Sequence, residues 1–317
     1  TRLSSGGQAI IVRPDGPVKQ ALFDLREVRL VPVGMQPGFA AASLTETPLP
    51  RYPPEITPFL LDESQPVARR QKVIDQRPGM GPGIISLLAA GIKTGDVDNE
   101  YQRIPWLWRV AIAVGKRNDG GEIRDVLETS VPAAGSSLRD WQAVVIGGGL
   151  VNGASQLGFW PKRRLSEILD GLPVVNARWP AMLQLSAAMA HDDQVRAGTR
   201  YDALRMVALM DEEDAVPHLL KYLTKGTNPE LQMGAVSGLV DVESTEVIVA
   251  LTTSLSYLEG RNRFLAIEGL LRTNERAAAL TTLLRQNKLV LQPPERQSLL
   301  EHSVEQIRSR ANNLLTE

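Results

Sequence analysis

From about residue 101 onward, apolar positions recur at helical spacing in short runs, and the runs themselves recur about every 31 residues. Ala111 in WRVAIAVG, Ala143 in WQAVVIGGG, Ala203 in YDALRMVAL, Ala235 in QMGAVSGLV and Ala266 in RFLAIEGLL follow one another at steps of 32, 60, 32 and 31. The step of 60 reads as two periods with a divergent unit between them. A second beat, Leu220, Leu251 and Leu283, keeps intervals of 31 and 32. One helix pair of this length cannot bury its apolar face alone, so a fixed period predicts pairs stacked into a solenoid with one continuous core. Small alanines at the inner positions let successive first helices approach closely.

The fold class predicted is mostly α: an α-solenoid of about six HEAT-like helix pairs over residues 91–317, preceded by an irregular module with little β over residues 1–90. The pairs are placed at about Pro105 with Glu122 to Ser130, Leu138 to Gln156 with Pro161 to Leu169, an irregular unit at Ala177 to Asp192, Thr199 to Met210 with Ala215 to Leu223, Pro229 to Val240 with Thr245 to Tyr257, and Arg261 to Leu271 with Arg276 to Gln286. A last helix, Pro294 to Leu315, caps the stack. Pro105 and Pro161 suit the first helical turn, where a missing N–H costs nothing. Residues 1–90 read differently because Gly and Pro punctuate them too often for long helices, from Gly6-Gly7 through Pro53-Pro54 to Pro82-Gly83. Two short β-like runs, Ala9 to Val12 and Val28 to Val33, are candidates to pair as a small sheet. The module reads as a strap against the solenoid or as a linker from an upstream domain.

Composition narrows the function classes. Lys and Arg number 35 against 36 Asp and Glu, so no global field favours nucleic acid or an anionic membrane. Cysteine is absent, which removes disulfides, thiolate metal sites, a Cys nucleophile and CxxCH haem attachment. No apolar run reaches bilayer length. The chain opens at Thr1 without a leader, which fits a trimmed, excised or mature secreted chain.

Each suggestive cluster has a structural reading beside a functional one. Val144 to Gly153 carries an apolar run into Gly147-Gly148-Gly149, with Asp170 downstream, as in a dinucleotide-binding turn. The preceding Asp140 to Ala143 is in phase with the helical repeat, however, and no strand follows. Three glycines inside a helix then point to close packing or a kink. His191-Asp192-Asp193 and Asp211 to Asp214 offer carboxylates for a cation, but no metal-ligand spacing accompanies them, and acidic residues before helices complement the helix dipole. All five tryptophans lie between Trp106 and Trp179, near Arg109, Arg139, Lys162, Arg163 and Arg164. The set reads either as a ligand groove or docking surface or as filling of the core between repeats. Packing is the expected main role, with Trp160 the exception because it follows Gly158.

Five phrases, IPWLWRVAIAVGKRND, LRDWQAVVIGGGLVNG, GTRYDALRMVAL, ELQMGAVSGLVDV and HSVEQIRSRANNLL, together resemble one family region. It is the HEAT-repeat section of the large secreted planctomycete membrane-bound dehydrogenase proteins with a haem-binding CxxCH domain, and the resemblance covers roughly residues 100–317. In that family a β-propeller precedes the repeats and a c-type cytochrome domain follows them. Neither is carried by this chain, so haem binding and dehydrogenase activity do not transfer. The resemblance implies a spacer or docking solenoid in an extracytoplasmic space, periplasmic or secreted, with a c-type cytochrome or dehydrogenase domain as partner.

The expected function is therefore a non-enzymatic scaffold that binds protein, since a solenoid offers a long pre-organised surface. Trp160, Arg163, Arg164, Arg200 and Tyr201 are the expected contact residues, because Trp, Tyr and Arg dominate interface hot spots. No cofactor, metal, nucleic acid or catalytic residue is expected. The alternative is an enzyme with a ligand site between the N-terminal module and the solenoid groove.

Overall fold

The computed structural model describes residues 2–5, 8–11, 48–93, 95–131 and 139–316. The chain divides into two compact units, Thr1–Pro48 and Leu49–Glu317. In the first unit β1 (Arg2–Ser5) and β2 (Gln8–Ile11) pair antiparallel, with Arg2 opposite Ile11 and Ser5 opposite Gln8. The strand expected at Ala9 to Val12 is thus present as β2, but it pairs with Arg2–Ser5. The run Val28 to Val33 lies outside the described residues.

The second unit is all α. Its first three helices, α1 (Pro53–Leu61), α2 (Val67–Asp75) and α3 (Gly81–Ala90), occupy sequence expected to be irregular. The reason is positional: Pro53, Pro54 and Pro82 sit in first helical turns, where they start helices, and Pro66 immediately precedes α2. All three helices pack on α4 (Val97–Arg117), and Ile56, Leu60, Val73, Ile85 and Leu88 join the same core as Leu107 and Val110. The boundary expected at residue 90 therefore falls at residue 48. Pro105 does not begin a helix either. Asp96 caps α4 by accepting from the Asn99 amide at 3.1 Å, and Pro105 lies inside the helix.

Beyond α4 come α5 (Gly120–Ser130), α6 (Asp140–Gln156), α7 (Pro161–Leu169), α8 (Pro173–His191), α9 (Ala197–Val207), α10 (Glu212–Leu220), α11 (Pro229–Val240), α12 (Thr245–Ser254), α13 (Gly260–Leu270), α14 (Asn274–Arg285), α15 (Pro293–Leu300) and α16 (Glu305–Thr316). One series of contacts runs α4 to α6 to α9 to α11 to α13, and another runs α10 to α12 to α14 to α16. The five phased alanines lie in the first series, each at most 1% exposed. In the second series the beat is less strict: Leu251 is buried, whereas Leu220 and Leu283 are half-buried beside the fully buried Leu219 and Leu280.

Two expectations fail here for identifiable reasons. The 60-residue step is one spatial step, because α6 packs directly on α9. The region read as a divergent unit is α8, a continuous 19-residue helix with Pro180 inside it, which packs along α9. The single terminal helix expected at Pro294 to Leu315 is two. His302 sits at the break, where its Nδ1 accepts from the Val304 amide at 3.0 Å and its Nε2 meets Glu268 Oε1 at 2.9 Å.

The glycine run that resembled a nucleotide turn is helical throughout, and it sits between two neighbours. A Cβ on Gly153 would lie 2.2 Å from the Ile112 carbonyl oxygen, and one on Gly115 would lie 2.4 Å from that of Leu150. On the other flank, a Cβ on Gly148 would lie 2.6 Å from the Asp202 Cβ. The glycines let α4 and α9 approach α6 nearly backbone to backbone, which side chains of any size prevent.

Candidate docking groove

The first contact series presents a groove of about 590 Å³, lined from Tyr101 on α4 to Ile307 on α16. Every helix of that series contributes, because each turns one stripe of its inner face to the same side. Its walls are apolar at Ile104, Met233, Leu265 and Ile307, while α9 supplies a polar floor through Asp202 and Arg205.

The floor is built around one carboxylate. Asp241, at the end of α11, is 3% exposed and holds Arg205 Nη2 at 2.6 Å. Its other oxygen accepts from Arg272 Nη1 and from Ser155 Oγ, the latter at 2.7 Å. Arg272 also donates to the Phe159 carbonyl at 2.6 Å and lies over the Trp160 ring at 4.2 Å. Arg276 covers the same ring at 5.3 Å and donates to the Val240 carbonyl at 2.8 Å. Burial, with Arg272 beside it, lowers the Arg276 pKa to about 10. Asp241 thus serves two guanidiniums, while Arg276 is held by backbone carbonyls and feels Glu243 and Glu275 as well as Asp241.

Hydrogen bonding in the groove is incomplete. Among the described residues, seven buried side-chain nitrogen or oxygen atoms have no partner, and five of them belong to residues that line this groove. They are Trp108 Nε1, Arg196 Nη1, Arg205 Nε and Nη1, and Asp202 Oδ1. Each such group costs on the order of 1–3 kcal/mol when nothing replaces its water. The Trp108 indole and the Asp202 carboxyl face each other, so the surplus is of three buried guanidinium N–H donors, on Arg196 and Arg205.

Asp202 is 4% exposed, and burial pushes its carboxyl well above the usual carboxylate range. The Trp108 indole and Arg205 pull the other way, and Glu230 adds to the rise. Asp202 therefore supports the fold fully below about pH 4, its unfolded pKa, and that contribution is lost as pH rises through the higher folded value. Asp202→Asn removes the titration. The difference in melting temperature, variant minus native, is expected to become more positive from pH 4 to pH 8; a pH-independent difference would contradict this placement.

The five expected contact residues do not all come together at this groove. Tyr201 lines it, buried, with its hydroxyl accepting from Asn152 Nδ2 at 3.2 Å. Trp160 is half-buried beneath Arg272 and Arg276. Arg163 is exposed and pairs with Glu243 at 3.3 Å. Arg164 is tied to Asn118 Oδ1 at 2.7 Å and Glu167 at 3.2 Å. Arg200 points away from the groove, donating to the Ala190 carbonyl at 3.0 Å and pairing with Asp193 at 2.8 Å. Arg205, Asp241 and Arg272 were not anticipated, although a signal existed: Asp241 and Arg272 each fall six residues after a phased alanine, so opposite charges occupy the same repeat position one period apart.

The acidic clusters are also placed. Glu212, Glu213 and Asp214 fill the first turn of α10, and Asp211 accepts from Lys162 Nζ at 2.9 Å. His191 Nε2 meets His218 Nδ1 at 2.7 Å, and its Nδ1 meets the Tyr222 hydroxyl at 2.7 Å. Burial and then Lys221, His218 and Arg200 lower the His191 pKa, which favours its neutral ring in this bridge between α8 and α10. Among the described residues, no three His, Asp or Glu side chains gather as a metal-binding group.

No family model, curated protein or solved structure matches this chain. The chemistry of the groove therefore rests on its own residues. Among the described residues, no helix is long and apolar enough to cross a membrane.

Proposed function

We propose that the chain is a HEAT-like α-solenoid that docks a segment of a partner protein in the groove of its first-series helices and performs no reaction itself. The observation that carries this reading is the union, in one groove, of an apolar wall from α4, α11 and α13 with buried, unpartnered guanidinium N–H groups of Arg196 and Arg205 at α9. Such a surface is pre-organised, so binding spends little on ordering the scaffold. The family resemblance supports an extracytoplasmic setting and a c-type cytochrome or dehydrogenase domain as the partner.

The enzyme alternative places a site between the N-terminal module and the groove, and most of that module, Thr1–Pro48, lies outside the described residues. A cavity of about 260 Å³ does join Gln71 and Asp75 of α2 to α4, but its lining holds one carboxylate and no histidine, serine or threonine. The docking reading is tested by selecting a displayed random-peptide library on the full chain. Selected peptides are expected to lose binding at least tenfold on Ser237→Trp, which fills the groove, and to keep it on Val249→Trp, on an exposed position of α12. Peptides that bind all three chains alike would overturn it.

A further inference from the structure

We propose that the groove recognises a carboxylate, so that the docked segment is an extended peptide carrying an aspartate or glutamate between apolar residues. This rests on the docking reading and specifies its ligand. The argument starts from the imbalance of buried groups: the Trp108 indole N–H faces the Asp202 carboxyl, whereas Arg196 Nη1, Arg205 Nε and Arg205 Nη1 donate and have no acceptor. A carboxylate offers several lone pairs on two oxygens and is the side-chain group best matched to a guanidinium fork.

Charge points the same way. Arg205 and Arg272 already share Asp241, which leaves the pair with a surplus positive charge. Arg261, exposed on the groove lining, stacks on Phe264 at 5.4 Å and has no carboxylate partner among the described residues. Of the carboxylates in and around the groove, Glu100 faces Arg196 at 3.6 Å and Glu268 faces His302 at 2.9 Å, so both are engaged. Glu230 is exposed. Asp202, the one acid on the floor with an unpartnered oxygen, is held toward its neutral form by burial and can then donate to a ligand oxygen instead of repelling it.

Geometry orders the approach. Arg196 stands over the Tyr101 ring at 4.2 Å with about a third of its side chain exposed (36%), whereas the Arg205 side chain is 2% exposed. An arriving carboxylate meets Arg196 in partial contact with water before it reaches the more deeply buried Arg205. Apolar neighbours of the acid fill the walls at Ile104, Met233 and Leu265. A free small carboxylate lacks those neighbours and is expected to bind far more weakly.

The peptides selected on the full chain supply the test. They are expected to share an Asp or Glu at one position, and replacing it with Asn or Gln is expected to weaken binding on the order of tenfold or more, as loss of charge-assisted hydrogen bonds does. Arg196→Gln removes the guanidinium at the groove mouth, where its side chain is 36% exposed, so it is expected to reduce the penalty of that acid-to-amide change, while circular dichroism reports that the variant is folded. If groove-specific peptides emerge without a shared acid, or tolerate its amide, the carboxylate proposal falls and docking stands. If no groove-specific peptide emerges, both fall. If succinate or acetate alone binds as tightly as the peptides, the ligand is a small acid and the peptide proposal is overturned.

Discussion

Asp241→Ala is expected to lower the melting temperature by on the order of 10 °C. The carboxylate is buried, and its loss strands Arg205 and Arg272 in the interior together with the Ser155 hydroxyl. Removing one member of a buried ion pair costs about 3–5 kcal/mol, because the remaining charge has neither water nor partner. Domains of this size lose about 2–4 °C per kcal/mol, and total stabilities run to only about 5–15 kcal/mol. Arg163→Ala serves as the control, since its pair with Glu243 lies in solvent with both side chains at least half exposed. Exposed pairs contribute about 0–1 kcal/mol, so little change is expected there. Thermal and urea unfolding of both variants would check the ranking, and equal effects would mean that Asp241 does not organise the groove floor.

Gly153→Val carries the second large effect. Its Cβ would meet the Ile112 carbonyl at 2.2 Å and the Lys116 amide nitrogen at 2.8 Å, both backbone atoms of α4 that cannot step aside singly. Overpacking of this kind costs about 1–3 kcal/mol and more where backbones must part. We expect about 3 kcal/mol or more. The helix-propensity gain over glycine, below about 1 kcal/mol, does not offset it. Gly121→Ala tests the opposite case: it sits in the first turn of α5, and a Cβ there meets only the Asp119 carboxylate at 3.3 Å. That variant is expected to be neutral or slightly stabilising. Urea midpoints separate the two, and a tolerated valine at 153 would place the α4–α6 contact elsewhere.

These variants mark where sequence reasoning reached and where it stopped. The alanine register was legible because a residue of that size, repeated at one position, leaves a narrow set of packings, and all five alanines are buried as the period requires. Pro161 and Pro229 gave helix starts at their true residues, since proline's missing N–H is free only there. The same property misled at Pro53, Pro54 and Pro82, where density of proline suggested irregular chain and position in the first turn decided for helix. The 60-residue step was misread because sequence spacing counts residues along α7 and α8, whereas packing counts only which helix lies next to α6.

The groove was the least legible part. Tyr201 was singled out for its type, and it does line the groove, but Arg200 beside it projects to α8 because successive helical residues diverge by about 100°. Trp160 attracted attention as an aromatic after a loop and serves instead as a platform for two buried guanidiniums. The floor depends on Ser155 of α6, Arg205 of α9, Asp241 and Arg272 just past α11 and α13, and Arg276 of α14 meeting across about 120 positions of sequence. Only the opposite charges at equivalent positions of successive repeats recorded that meeting in advance.

Hydrogen–deuterium exchange of the full chain with and without a selected acidic peptide tests the central claim most directly. Peptide binding is expected to slow exchange in α4, α9, α11 and α13, whose inner faces form the groove, and to leave α10, α12 and α14 unchanged. Protection confined to those last three helices, or none at a saturating peptide concentration, would contradict the claim that this groove is where the chain holds its partner.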